Sequence, residues 1–424
     1  MSNQFSKEER VAFENILEGF NDALVMSKNV TIERLDQVEM ERSNNVLWRP
    51  MPYIMASYDG TDATANFKNV TQLSVPMTIG FKKHVPWSMS ATELRDAVQE
   101  GRIGDGAKQR IATDINIATL NVAANQGTLF VKRTSAASGF DDIAQCDAIF
   151  NEQGIPQNDR YIALNTRDYN NMASNLATST RSFGNATSDQ ALRQAYVGNV
   201  ASFETYKLDY GVRKTAAAGG AGITINTLVA GANFYAPRAT SVSVTGETSN
   251  VDNRFQTVTV SSTANVAAGD AFTIANCEAV HHIAKTSTGQ LKTFRVMQVL
   301  TGTTMVISPP IISGQGGTAA EIQYQNCTFT ATASNAAIVF LNTVTASINP
   351  FWQKDAIGIL PGRLALPTDG GLAVIRGSTD QGLEVAMSKQ TDINTLLTFY
   401  RVDCHFGVVN KQPQMTGVIM FGQT

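Results

Sequence analysis

A chain of 424 residues is longer than one hydrophobic core usually supports, so two or three domains are expected. Charged residues make up only 16% against 43% apolar, a low fraction for a free monomer, and much of the surface is expected to meet protein rather than water. The 33 Lys and Arg against 36 Asp and Glu leave a net charge of −3, which gives no global pull toward nucleic acid. Cys146, Cys277, Cys327 and Cys404 lie far apart and form no Cys-x-x-Cys pair, the pattern of free thiols in a reducing compartment. The start, with Lys7, Glu8, Glu9 and Arg10, has no apolar run, and no stretch is apolar enough to cross a bilayer. A soluble protein is expected.

Residues 1 to about 38 read as a helical arm, because Phe13, Ile16, Leu17, Phe20 and Leu24 follow helical spacing between acids and bases. Such an arm is too short to fold alone and is expected to dock, on another surface or on its own core. In the stretch 40–52, Pro50 and Pro52 force an extended path. Over residues 53–80, Thr71, Leu73, Val75 and Met77 share one parity behind a polar turn at 58–64. This predicts a long β-hairpin with a polar tip. A hairpin is marginal alone, so one reaching out from a core is expected to lie on a neighbouring subunit.

Ser90 with Glu93 three residues on predicts a capping box opening a short helix, which Gly101, Gly104 and Gly106 should stop. From Ala107 to Gln126 there is neither Gly nor Pro, and Ile111, Ile115, Ala118 and Val122 fall on one helical face. This second helix organises the chain, as a strut for later strands or as an ordinary amphipathic core helix.

From 133 to 222 short elements mix. A helix is predicted over Phe140–Phe150, a buried strand over Arg160–Leu164, a helix starting at Asn165–Tyr169, and a further one over Ala191–Phe203. Composition changes at the glycine-rich stretch 216–222. From Ile223 to about Thr345 the text is Thr, Val and Ser with close turn signals. Strands at Thr257–Val260, Ala271–Ile274, Thr293–Val299 and Thr304–Ile307 predict a small all-β barrel or sandwich, inserted between mixed α/β text. Beyond it, Leu396–Phe406 together with Val418–Phe421 predicts a long C-terminal antiparallel sheet.

Catalytic and metal motifs are missing. The glycines at 219–222 lack the Lys and Ser or Thr of a phosphate loop. His281 and His282 are adjacent without a Glu at metalloprotease spacing, a poor metal site. His84 and His405 stand alone, there is no Gly-x-Ser-x-Gly elbow, and Asp141-Asp142 read as residues capping or flanking the helix that follows. Nothing interleaves aromatic and basic residues as an RNA-binding strand does. No enzyme activity, cofactor or metal is expected.

Several stretches, in this order, carry a resemblance. They are Arg42-Ser-Asn-Asn-Val-Leu-Trp48 with Pro50, Glu93-Leu-Arg95-Asp96 ahead of the strut, Val251-Asp252-Asn-Arg254-Phe255 with Thr257-Val-Thr259, and Gly269-Asp270. Later come Phe351-Trp352 with Asp355-Ala-Ile357, Asp392-Ile393, and the ending Gly422-Gln-Thr424. Together they resemble, nearly end to end, the major coat proteins of short-tailed lambdoid phages of the P-22 type. The resemblance implies an α+β HK-97-like capsid fold with an inserted all-β domain.

On that resemblance, residues 1–38 form the N-terminal arm, 39–80 the extended loop, and 81–132 the peripheral domain with its spine helix. Residues 133–222 form the first part of the axial domain, 223–345 the inserted β-barrel domain, 346–390 the return, and 391–424 the C-terminal peripheral strands. The implied function is a structural shell protein that assembles with itself as hexamers and pentamers, with a scaffolding protein and a portal. The procapsid would form in the host cytoplasm, expand on maturation, and enclose double-stranded DNA without sequence-specific binding or a membrane. Candidates for subunit contact or assembly are Phe13, Phe20, Arg42, Trp48, Tyr58, Asp59, Asp62, Glu93, Arg95, Glu247, Asp252, Arg254, Phe351 and Trp352. In the family a loop of the insertion supplies acidic residues between capsomers; here residues 238–250 offer only Glu247, so polar or apolar contacts are expected to replace ionic ones. The alternative on the same fold is a cellular compartment shell enclosing an enzyme.

Overall fold

The computed structural model describes residues 5, 7–18, 26–33, 46–52, 55, 60–62, 64, 67, 69–90, 93, 97–178, 197–219, 222–225, 234–315, 317–329, 335–363, 372–379 and 382–424. The chain divides into two units. One comprises residues 1–47, 77–120 and 357–409, and the other 48–76, 121–356 and 410–424.

In the first unit the described arm helix is Lys7–Glu18; residues 19–25 and 34–38 lie outside the described residues. Thr31–Ile32 is instead a strand, parallel to Ile357–Gly362; β-branched Thr31 and Ile32 suit an edge strand better than a helix end. The helix docks on its own chain. Phe13 and Ile16 are buried, and a side chain on Gly377 would meet Leu17 Cδ1 at 2.3 Å and Phe13 at 3.0 Å. Glu9 is buried beneath, paired to Lys389 and accepting from the Tyr400 hydroxyl at 2.6 Å.

The sheet under the arm runs in the order Thr31–Ile32, Ile357–Gly362, Thr398–Asn410, Glu384–Thr391, Ala373–Ser378, with Phe81–Met89 also paired to Thr398–Asn410. Phe81–Met89 was not anticipated as a strand; it runs antiparallel from Thr398↔Met89 to Phe406↔Phe81.

The organising helix is one continuous element, Ala97–Gln126. At ~1.5 Å per residue, it is about 45 Å long. Gly101, Gly104 and Gly106 do not stop it. Gly104 faces Ile16, which a Cβ there would meet at an ordinary contact distance of 3.4 Å. Lys108 Nζ also reaches the Asn15 carbonyl, 3.4 Å away. Farther along, Ile111 and Ile115 are fully buried, and Asn116 Oδ1 accepts from Met26 N, Ser27 N and Ser27 Oγ at 3.0–3.3 Å. The helix therefore gathers the arm segment by both apolar and polar contacts. The capping-box hydrogen bonds form: Ser90 N donates to Glu93 Oε2 at 2.7 Å, and Glu93 N to Ser90 Oγ at 3.4 Å.

The second unit holds a six-stranded sheet in the order Leu129–Lys132, Thr416–Met420, Asn349–Gln353, Arg160–Asn165, Phe203–Leu208, Asn199–Val200. Val418–Phe421 thus joins a different sheet from Leu396–Phe406, contrary to expectation. Gly417 allows this: a Cβ there would sit 2.3 Å from Phe351 and 2.8 Å from Leu129 on the flanking strands. The helices Phe140–Glu152 and Thr166–Thr178 form as expected. Asp142 does cap the first, accepting from Ser138 N at 2.7 Å and pairing with Arg133 Nε at 2.6 Å. The helix predicted over Ala191–Phe203 does not form at 197–203. Gly198, Ala201 and Ser202 all take positive φ there and turn the chain into the Asn199–Val200 and Phe203–Leu208 pair; residues 191–196 lie outside the described residues.

Residues 224–340 build a barrel. Its strands run Thr224–Ile225, Ala336–Phe340, Ala271–Val280, Ser287–Val299, Thr304–Ser308, Gln256–Thr259, and Cys327–Phe329 adds to Ala271–Val280. The edges meet through an Ile225↔Val260 bridge and Ser261 N donating to Thr224 O at 2.8 Å. Closure removes the open edges a sandwich would keep. Val258, Ile274, Val296 and Ile307 fill the interior around stacked Phe272 and Phe294. Among the described residues of this region, one short helix, Ala319–Tyr324, interrupts the strands.

Candidate assembly surfaces

Between two strands, Thr240–Val242 and Thr248–Asn250, the chain makes an isolated two-stranded ribbon. Its turn is set by Gly246 at φ +87°, with Gly246 N donating to Ser243 O at 2.9 Å and Glu247 N to Ser243 Oγ at 3.1 Å. Val242 is 68% exposed and Val244 fully so. Apolar tips in water are costly unless something covers them.

The root of the ribbon is locked. Asn253 is buried, its Oδ1 accepting from Arg238 N at 3.1 Å and Tyr235 OH at 2.9 Å, while its Nδ2 donates to Arg238 O and Val251 O. Arg254 grips Asp252 with Nε at 2.9 Å and Nη2 at 2.6 Å, and its Nη1 reaches the Asn410 carbonyl at 2.7 Å. Asp252 and Arg254 therefore satisfy each other within the chain; they aim the ribbon, and Glu247 sits exposed on it.

The hairpin has a comparable root. Val46–Pro50 pairs with Ser74–Thr78, not strands over 53–80 throughout. Met51 N donates to Leu73 O, Ser74 bridges Asp252, and Thr71 exchanges hydrogen bonds with Gln323 and receives one from Tyr324. Trp48 is half-buried in this strand. Asp62 is exposed, accepting from Thr64 N and Oγ1, and these bonds hold its carboxyl below the usual range. Phe67, 85% exposed, is the apolar counterpart to the ribbon valines.

The other candidates divide. Phe13 is used in arm docking, and Glu93 in its capping box. Phe351 and Trp352 are fully buried, so they are core residues rather than surface contacts. Phe351 packs on Phe150 and Phe203, and Trp352 on Tyr161, because both lie in the central strand of a covered sheet. Phe20, Arg42, Tyr58, Asp59 and Arg95 lie outside the described residues.

Three polar residues of one barrel strand were missed by sequence reasoning. Fully buried Arg295 donates from Nη1 to Gly127 O at 3.0 Å and from Nε to Gly269 O at 3.1 Å, and Thr293 Oγ1 donates to Thr128 O at 2.8 Å. The Gly127 and Thr128 carbonyls lie just past the C-terminus of the long helix, where a cation complements the helix dipole. Burial pushes the Arg295 pKa down to about 10, with Asp270 opposing, so it stays charged at neutral pH. Lys292, also buried, donates to Gln414 Oε1 at 2.8 Å. The only sequence signal was a basic residue on each face of a strand, which reads by default as solvent-facing.

Among the described residues no group of three or more His, Cys, Asp or Glu is placed to hold a metal ion. All four thiols are buried, and burial pushes Cys404 up to about 12, away from nucleophilic reactivity. What the chain offers is anchored elements carrying exposed apolar tips, the equipment of a structural protein that works by self-association. The chain belongs to the P22 coat protein family (gene protein 5), whose family model matches residues 1–422. It is accordingly a phage major capsid protein of the α+β, HK97-like class, a component of an icosahedral virion shell and not an enzyme.

Among solved structures, it is similar to the CUS-3 coat protein I-domain at 34% identity, over 30% of this chain and 99% of that one, with a TM-score of 0.22. It is also similar to the capsid of cyanophage P-SCSP1u at 11% identity, over 94% and 88%, TM-score 0.47. A virus-like particle from Pyrococcus furiosus matches at 8% identity, over 96% of each chain, TM-score 0.39.

Proposed function

We propose that this coat protein assembles as hexamers and pentamers, guided by a scaffolding protein and joined to a portal, into a procapsid in the host cytoplasm. The shell expands on maturation and encloses double-stranded DNA without sequence-specific binding. In this reading residues 39–80 extend over a neighbouring subunit. Residues 223–345 act as an inserted domain whose ribbon joins neighbouring capsomers through Val242 and Val244, with Glu247 as its one acid. The supporting observation is the combination of an exposed valine tip with a root locked by Asn253 and the Asp252–Arg254 pair. Symmetry repeats each modest contact around the shell, so small apolar patches suffice.

Electron microscopy of the chain expressed with and without the scaffolding protein proposed to guide it tests this. Uniform closed shells with the scaffold and aberrant or open ones without it are expected. Uniform shells from the chain alone would contradict scaffold guidance.

A further inference from the structure

A cavity of about 260 Å³ lies in the second unit, where the hairpin root, the loop at 154–156, the barrel and the turn at 412–415 come together. Five prolines contribute to its wall: Pro52, Pro156, Pro309, Pro310 and Pro413. Proline has no N–H, so these stretches present rigid hydrocarbon without an amide donor to satisfy. Met51, Leu73, Ile312 and Met415 add aliphatic surface, and Ile283, 69% exposed, stands at the mouth.

The polar groups on the wall are largely occupied. Arg254 is held by Asp252 and the Asn410 carbonyl, Asn253 by the ribbon root, and the Tyr324 hydroxyl by Thr71 O. The Gln414 side-chain Oε1 accepts a hydrogen bond from Lys292 Nζ. His282 lines the cavity as well. Burial first, then Lys292, Lys285 and His281, push its pKa down to about 3. It is a neutral imidazole at physiological pH, offering one donor and one acceptor. The space equals roughly eight waters at ~30 Å³ each, but mostly apolar walls give so many waters few partners.

We propose that this cavity is a binding site for an uncharged aromatic molecule of bicyclic size, held between proline and aliphatic walls and hydrogen-bonded through a single hydroxyl or amide to His282. A charged ligand is excluded on desolvation grounds, because no unpaired counter-charge faces it. An occupant touches four separate chain segments at once, so binding ties the hairpin root to the barrel and raises the melting temperature of the folded state. The site is independent of the scaffold and capsomer reading above.

The full chain, as purified monomer, is titrated with 1-naphthol and with 1-naphthoate, following ligand-observed saturation-transfer NMR and ligand fluorescence. Saturable one-to-one binding of 1-naphthol is expected, at least tenfold weaker for the anion, and flat between pH 5 and 8 because His282 does not titrate there. Ile283→Trp, a change at an exposed mouth residue that leaves circular dichroism unchanged, should weaken 1-naphthol at least tenfold. Ile283→Ala should retain it. Absence of saturable binding to the wild type, equal binding of the anion, or unchanged affinity in a folded Ile283→Trp chain would each overturn the proposal.

Discussion

Arg295 shows how one side chain joins two kinds of structure. Its position on a barrel strand, between Phe294 and Val296, turns it away from the barrel interior toward the end of the long helix, where Gly127 O accepts from it. Without it, two buried carbonyls lose their donor. Arg295→Leu should therefore destabilise the chain by about 1–3 kcal/mol, read by urea denaturation of the monomer, and Arg295→Lys should recover part of the loss. His282 makes a separate demand on pH. Its pKa is near 3 in the fold against an ordinary 6.5, so between those values the unfolded chain binds a proton that the native chain refuses. Stability should fall as pH drops from 6.5 toward 3, and His282→Leu should flatten that component of the slope in pH-dependent thermal melts. Arg295 was not legible from the sequence, because a basic residue between apolar ones in a strand carries no mark of whether water or a helix end faces it, and a His in a turn such as His282 carries no mark of burial.

Elements were legible where hydrophobic spacing had one meaning. The face Ile111, Ile115, Ala118 and Val122 is buried as its period requires, and the barrel strands fall where Thr and Val alternate between turns. The glycine signal misled: Gly101, Gly104 and Gly106 suggested a stop, yet the helix runs through all three, since an isolated glycine weakens a helix without ending it. Phe81–Met89 does alternate, with Phe81, Val85, Trp87 and Met89 on one parity, but Pro86 and the lysines obscured it. Among the described residues, the hairpin is held by backbone and side-chain bonds at residues 71–74. Deleting residues 58–64 should therefore leave a folded monomer, with circular dichroism and melting temperature near wild type, while shell yield in sucrose gradients drops severely.

For the whole molecule, the division of labour follows exposure. Phe351 and Trp352, singled out as contact candidates, are enclosed in a sheet core, where truncation damages folding first; the Phe13 contact likewise belongs to the chain's own arm. Among the described residues, Phe67 on the hairpin and Val242 and Val244 on the ribbon are strongly exposed apolar groups, and these are the ones proposed to meet other copies. The family resemblance pointed to the ribbon stretch, and its shortage of acids was visible in the sequence; its locked root was not, since it depends on Asn253 meeting Arg238 fifteen residues away. The most direct test is the double variant Val242→Asp, Val244→Asp, compared with wild type by sedimentation velocity and electron microscopy after co-expression with the scaffold. Exposed positions on a ribbon tolerate charge, so the monomer should melt within about 0.5 kcal/mol of wild type in stability, while closed shells become rare and open or aberrant assemblies accumulate. Closed shells at wild-type yield would contradict the account.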